Sequence, residues 1–157
     1  MAQDLSNKYF VRRTTSDAWQ DVTTLFDGVK ILALSGFNEV GDAQNIYTAQ
    51  WVNSQTEDYM LVDSTVVRSN IDLTMTFIVG TRFSASQNVD TQTAFDNFKS
   101  YICDYGDFWV KSAYTNKYAH VVCLKGVQVI TERLRRGQNS FILANATLHT
   151  LATPISV

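Results

Sequence analysis

Between residues 66 and 83 the chain reads VVRSNIDLTMTFIVGTRF. Ile71, Leu73, Met75, Phe77 and Val79 fall on alternate positions against Asp72, Thr74, Thr76 and Ile78. Successive side chains of a strand point to opposite faces. This period of two therefore predicts a long strand, residues 66–79, with one face in a core and the other half polar. After a polar loop at 84–89 the period changes. Ala94, Phe95, Phe98, Tyr101 and Ile102 recur at spacings of three and four, which predicts a helix of three or four turns with an aromatic face. Asp90 is placed to cap it by accepting from the free amides of the first turn, and Gly106 to end it. Phe95, Phe98 and Ile102 are expected on a sheet, with Asp96 and Lys99 toward solvent.

Shorter runs on either side extend the β pattern. Residues 29–34 read as a buried strand closed by Ser35 and Gly36, and residues 37–45 as a turn or loop. Residues 46–52 alternate, with Tyr47, Ala49 and Trp51 on one face and Ile46, Thr48, Gln50 and Val52 on the other. Neither face is strongly polar. Both are expected to be covered, one by the core and one by a partner, which makes Ile46, Thr48, Gln50 and Val52 the candidate subunit interface. The polar stretch 53–58 turns the chain back toward 59–62. Residues 108–113 and 117–125 form the arms of a hairpin, with Asn116 suited to a left-handed turn position. In the second arm Tyr118, His120, Val122 and Leu124 share a face opposite Ala119, Val121 and Cys123. Gly126 marks a bend before a strand at 127–131. A basic connection at 134–139 leads to the final strand, 140–150. Residues 152–157 form a short C-terminal tail whose Pro154 bars a central-strand role. Residues 1–20 form either a short strand around 9–11 or an N-terminal arm that orders against a neighbour. The expected fold class is mostly β with one flanking helix (α+β), an antiparallel β-sandwich or open barrel forming a single domain over 1–157.

Composition narrows the function. A chain of 157 residues buries roughly two thirds of its unfolded surface without needing a disulfide or metal. Charged residues make up 18%, below the usual ~25%. Thr, Ser, Asn and Gln take their place, giving a surface that is cheap to desolvate and suited to extensive protein contacts. The net charge of −2 offers a polyanion no attractive field. Arg133, Arg135 and Arg136 beside Glu132 are a weak signal, so no direct sequence-specific nucleic-acid binding is expected. No eighteen apolar residues run together, so no membrane span is expected. The opening MAQDLSNKYF carries Asp4 and no apolar stretch, so it does not read as a secretory signal. The chain is expected to stay where it is made until it assembles.

Candidate chemistry is sparse. His120 and His149 are far apart, and His120 sits in a strand pattern where a hydrogen-bonded structural role explains it. Cys103 and Cys123 have no CxxC or Cys/His ligand spacing and read as small buried hydrophobes. Glu57 with Asp58, and Asp104 with Asp107, read as solvated charges, and Gly36, Gly41 and Gly80 form no phosphate-binding series. No catalytic, cofactor-binding or metal residues are assigned, and no enzymatic activity is expected. A calcium site built from backbone oxygens and scattered Asp residues stays open. Tyr105, Trp109 and Tyr114 lie near the helix end and the hairpin. If the fold brings them together they are the alternative ligand contacts, for a surface glycan or a protein.

Residues 29–154 resemble small structural proteins of tailed-bacteriophage tails. The order is the long strand SNIDLTMTFIVG, a polar loop, the helix TAFDNFKSYICDYGD, the hairpin FWVKSAYTNKYAHVVCLKGV and the closing strand FILANATLHT followed by TP. This looks like the N-terminal β-domain of distal-tail proteins and, more distantly, the related tail-tube fold. The likeness implies a β-sandwich or open barrel that assembles into six-membered rings around the tail channel. Its implied partners are copies of itself and other tail proteins. Its implied setting is the bacterial host cytoplasm during assembly of a phage or prophage tail, then the virion tail. It brings no catalytic residue to carry over. The chain has no room for the large second domain of some distal-tail proteins, so tube subunit, ring adaptor and tail-completion protein all stay open. The alternative is a carbohydrate- or protein-binding β-sandwich module.

Overall fold

A computed structural model describes residues 8–42, 46–49, 58–61, 68–86, 88–134 and 140–156, with only the backbone of 46–49 and 58–61. The alternating run becomes β6 (Asp72–Gly80), and its antiparallel partner is β10 (Phe141–Thr150). Pairing is continuous from Phe141 opposite Gly80 to His149 opposite Asp72. Leu73, Met75, Phe77 and Val79 are buried from one strand, and Ile142, Ala144, Ala146 and Leu148 from the other. The period of two thus reports one core face.

Two wings grow from this ladder. On one side lies β3 (Val29–Ser35), paired with β6; β9 (Val127–Arg133) pairs with residues 141–146 of β10. On the other side are β1 (Tyr9–Arg12), β2 (Gln20–Asp21), β7 (Phe108–Ser112) and β8 (Lys117–Val122), in the order β2-β1-β7-β8. The end of β8 joins the end of β10 at His149 and Thr150, and β11 (Ile155–Ser156) continues along the same edge of β8. All these pairs are antiparallel. Side chains from both wings, including Val11, Phe108, Val110 and Val121, meet in one core. A separate antiparallel hairpin joins β4 (Ile46–Ala49) to β5 (Asp58–Leu61). The architecture is mostly antiparallel β with a flanking helix, as the sequence predicts.

That helix is α2 (Thr91–Cys103), which packs against β3, β6 and β10. Phe98 is fully buried, its ring centroid 4.8 Å from Phe77 and 5.2 Å from Phe26 in edge-on contacts. Phe95 and Ile102 are also buried, while Asp96 and Lys99 form a partly exposed pair at 3.5 Å. A buried hydroxyl pair, Thr91 Oγ1 with Ser140 Oγ at 2.6 Å, ties the start of α2 to the start of β10. Asp90 occupies the N-cap position, but its carboxylate accepts from the Thr93 hydroxyl at 2.7 Å and caps no backbone amide. Gly106, at φ +90, takes the left-handed turn beyond the helix end.

Several boundaries differ from the sequence expectation. The strand predicted from 66 starts at Asp72. Residues 66 and 67 lie outside the described residues. Arg68 and Ser69 are drawn to the 41–42 loop, Arg68 Nη1 donating to the Gly41 carbonyl at 3.0 Å and Ser69 N to the Asp42 carbonyl at 2.9 Å. A 3-10 turn, Thr81–Phe83, ends it. β9 runs to Arg133, beyond the expected 131. The single-turn helix α1 (Val22–Leu25) and β11 were not anticipated, being too short to carry a period. The hairpin turn follows expectation, with Asn116 at φ 54 between β7 and β8.

Replacing Phe98 with Ala should cost about 3 kcal/mol in urea unfolding, because a fully buried aromatic leaves a cavity that its neighbours fill only in part. A loss below about 1 kcal/mol would show that the side chain is not part of the core. Lys99→Ala should stay within about 0.5 kcal/mol.

Candidate functional site

Two kinds of surface stand out from the buried core. The first is a pair of open sheet edges. The layer β3-β6-β10-β9 ends in β3 on one side and β9 on the other, and among the described residues no strand pairs with either outer edge. Each carries a register irregularity, between Ile31 and Ala33 in β3 and opposite Leu143/Ala144 in β9. Each presents an aliphatic residue to solvent at that point: Leu32 is 48% exposed and Ile130 55%. Val129 and Leu134 add to the exposed apolar surface of the β9 edge. Unpaired strand edges with exposed aliphatics are templates for pairing with another chain. The buried strand expected at 29–34 is instead an edge strand, with Leu32 and Ala33 exposed. β9 was legible in the run VQVIT, where neither face is cleanly polar.

The second surface is the outer face of β1, β7 and β8. Their alternation buries Tyr9 and Val11, Phe108 and Val110, Ala119 and Val121, and turns the intervening residues outward. The strand register then sets them in two rows, Arg12–Trp109–His120 and Phe10–Lys111–Tyr118. Trp109 stacks on His120 with centroids 4.5 Å apart and planes 5° from parallel. The Arg12 guanidinium lies 4.2 Å over Trp19, and Lys111 Nζ is 4.8 Å from the Phe10 ring and 5.1 Å from Trp19. Cations held over aromatic rings form a half-exposed patch, each contact contributing about 0.5–1 kcal/mol when exposed.

The predicted ligand contacts fall in three different neighbourhoods. Trp109 belongs to this patch. Tyr114, 72% exposed, packs against Tyr9, and Tyr105, 68% exposed, lies 5.9 Å from the Arg13 guanidinium. No ring contact joins the three. Of the predicted subunit interface, Ile46 and Thr48 contribute backbone to β4. Their side chains, with Gln50 and Val52, lie outside the described residues.

Arg13, which the sequence reading passed over, organises the end of α2. Its guanidinium sits 4.2 Å over the Tyr101 ring. It donates to the carbonyls of Tyr101 at 2.7 Å, Gly106 at 3.3 Å and Asp107 at 3.0 Å. A cation there satisfies carbonyls left unpaired at a helix C-terminus and opposes the negative end of its dipole. Beside it the Asp107 carboxylate is hydrogen-bonded to His120 Nε2. That bond, followed by one from its own backbone, holds the Asp107 carboxyl below its usual range. The structural histidine expected at 120 is therefore a partnered one. His149 pairs likewise with Asp72, Nδ1 to Oδ1 at 2.8 Å.

Among the described residues no three His, Cys, Asp or Glu side chains converge as metal ligands, and no helix is long and apolar enough to cross a membrane.

Comparison with known proteins bears on the fold. No protein-family profile matches the sequence, and no curated protein matches it. Among solved structures the chain is similar to the crystal structure of the Dit protein (gp 19.1) of SPP1, described as a paradigm of the hub adsorption apparatus in phages infecting Gram-positive hosts. The TM-score is 0.57 at 8% identity, over 92% of this chain and 50% of that one. The chain thus spans half the length of the SPP1 protein. At this identity the likeness is one of fold alone, a mostly antiparallel β domain with a flanking helix.

The Asp107–His120 pair gives a pH test. A carboxyl whose folded pKa is depressed adds stability that is fully present above the unfolded value, ~3.9, and is lost as pH falls through the folded value. The melting temperature of the wild type should therefore fall more steeply between about pH 5 and pH 2 than that of Asp107→Asn. Parallel curves would dissociate the carboxylate from acid stability.

Proposed function

We propose that this chain is a noncatalytic structural subunit of a phage or prophage tail, joining copies of itself into a ring around the tail channel. The carrying observation is the pair of open edges on one four-stranded layer. Neighbouring strands in that layer are antiparallel, so β3 and β10 run one way and β6 and β9 the other. A rotation about an axis along the strands leaves those directions unchanged. Successive copies around such an axis would therefore set β9 of one antiparallel to β3 of the next, the pairing that forms most readily. A head-to-tail contact of this kind closes into a ring when the rotation per copy divides a full turn.

Support also comes from the fold likeness to the SPP1 hub protein and from the low charge of the surface. Six copies is the number the resemblance to distal-tail proteins suggests. Other tail proteins above and below the ring would be its further partners, and assembly would begin in the bacterial host cytoplasm. The patch of Arg12, Trp19, Trp109 and Lys111 favours a second role, docking a protein or glycan on the outside of the ring or, as the alternative function, on a monomer.

Native mass spectrometry across a concentration series should find a discrete ring. Ile130→Lys places a charge on the β9 edge and should reduce the ring to monomer while leaving the circular dichroism spectrum of a folded subunit, since the side chain is exposed in the single chain. A wild type that stays monomeric at high concentration would oppose self-assembly. Binding of a glycan or protein by that monomer, lost in Trp109→Ala with the fold intact, would then favour the alternative.

A further inference from the structure

Cys103 closes α2 and Cys123 follows the last residue of β8. Residues twenty apart in sequence are thereby brought together, with the two sulfurs 3.2 Å from each other. Both cysteines are free thiols and both are partly exposed, so a small reagent can reach them from solvent. The Cys103 thiol donates to the Cys123 sulfur. Burial first, and the neighbouring Cys123 next, push the Cys103 thiol up to about 12. Either sulfur can attack first, since both are partly exposed and each lies within reach of the other.

We propose that Cys103 and Cys123 are a redox pair that closes to an intramolecular disulfide on meeting a low-molecular-weight disulfide, fastening the end of α2 to the β7–β8 hairpin. One cysteine, taken as Cys123, gives its proton to water and attacks one sulfur of the reagent RS–SR, forming Cys123–S–S–R and releasing RS⁻. That thiolate takes the Cys103 proton. The Cys103 sulfur then attacks the Cys123 sulfur, and the second RS⁻ leaves and is protonated from water by the proton Cys123 gave up. Two cysteine thiols are oxidised, one reagent disulfide is reduced to two thiols, and two electrons are transferred. The sulfurs must draw in to a bond of about 2.05 Å. The motion is small, because each cysteine lies at the end of its element. The bond does not depend on the tail reading. Its timing does: a particle leaving a reducing cytoplasm would meet such oxidants outside.

The full-length protein is incubated in native buffer with oxidised glutathione and compared with a dithiothreitol-treated sample by intact mass, non-reducing peptide mapping and thermal melting. The expected result is a loss of about 2 Da, one per thiol hydrogen, with Cys103 and Cys123 in one linked peptide. The melting temperature should rise by roughly 6–12 °C and return on reduction, because the cross-link restricts the unfolded chain. Cys103→Ser should stop at a single glutathione on Cys123. Thiols that stay alkylatable, a bond that joins two chains, or an oxidised form that melts no higher would each overturn the proposal. The ring is counted on dithiothreitol-treated protein, where no disulfide exists, so this pair and the ring reading fail separately.

Discussion

The rest of the molecule depends on the β6–β10 ladder. Nine register positions run from Phe141/Gly80 to His149/Asp72 without a slip. A shift of one residue would turn Leu73, Met75, Phe77 and Val79 to the outer face, so burial itself fixes the register. Both ends are tied by polar contacts. At one, the Thr150 hydroxyl donates to the Ile71 carbonyl at 2.6 Å and receives its amide at 3.1 Å. At the other, the Thr91–Ser140 hydroxyl pair brings in α2. Gly80 admits the chain there, since a Cβ on it would stand 2.8 Å from the Ser140 carbonyl oxygen.

The second edge of β10 is divided. Residues 141–146 pair with β9, and 149–150 with β8. This fork is what separates the two surfaces described above. The wing that keeps β3 and β9 ends in open backbone, and the wing that keeps β1, β7 and β8 carries the cation–aromatic rows. A single strand thus holds the open edges and the cation–aromatic face in fixed relation.

Much of this was legible in the sequence because it is local. The period of β6, the aromatic face of α2, the alternation of β8 and the Asn116 turn each lie within one short window. What escaped was set by pairing between distant segments. The rows Arg12–Trp109–His120 and Phe10–Lys111–Tyr118 exist only because β1 lies beside β7 in one register. The hydrogen bonds from Arg13 to the end of α2 likewise span some ninety positions of sequence. β11 escaped for a different reason: two residues after Pro154 hold no period, and their pairing follows from β8 being there to receive them. The candidate ligand residues show the same limit. Tyr105, Trp109 and Tyr114 are near in sequence, yet the strand between them carries each to a different neighbour.

The order of elements along the chain also shapes how it is made. During synthesis β6 emerges well before β10, and N-terminal segments fold while later ones are still to come. Through that interval β6 is paired by β3 alone, and the edge that β10 will take stays open. The segment made next is α2, whose Phe95 and Phe98 rest on Phe77. The helix is thus positioned as a provisional cover for a strand awaiting its mate. β9 leaves the ribosome just ahead of β10, so the exposed edge is completed only in the last stage of folding.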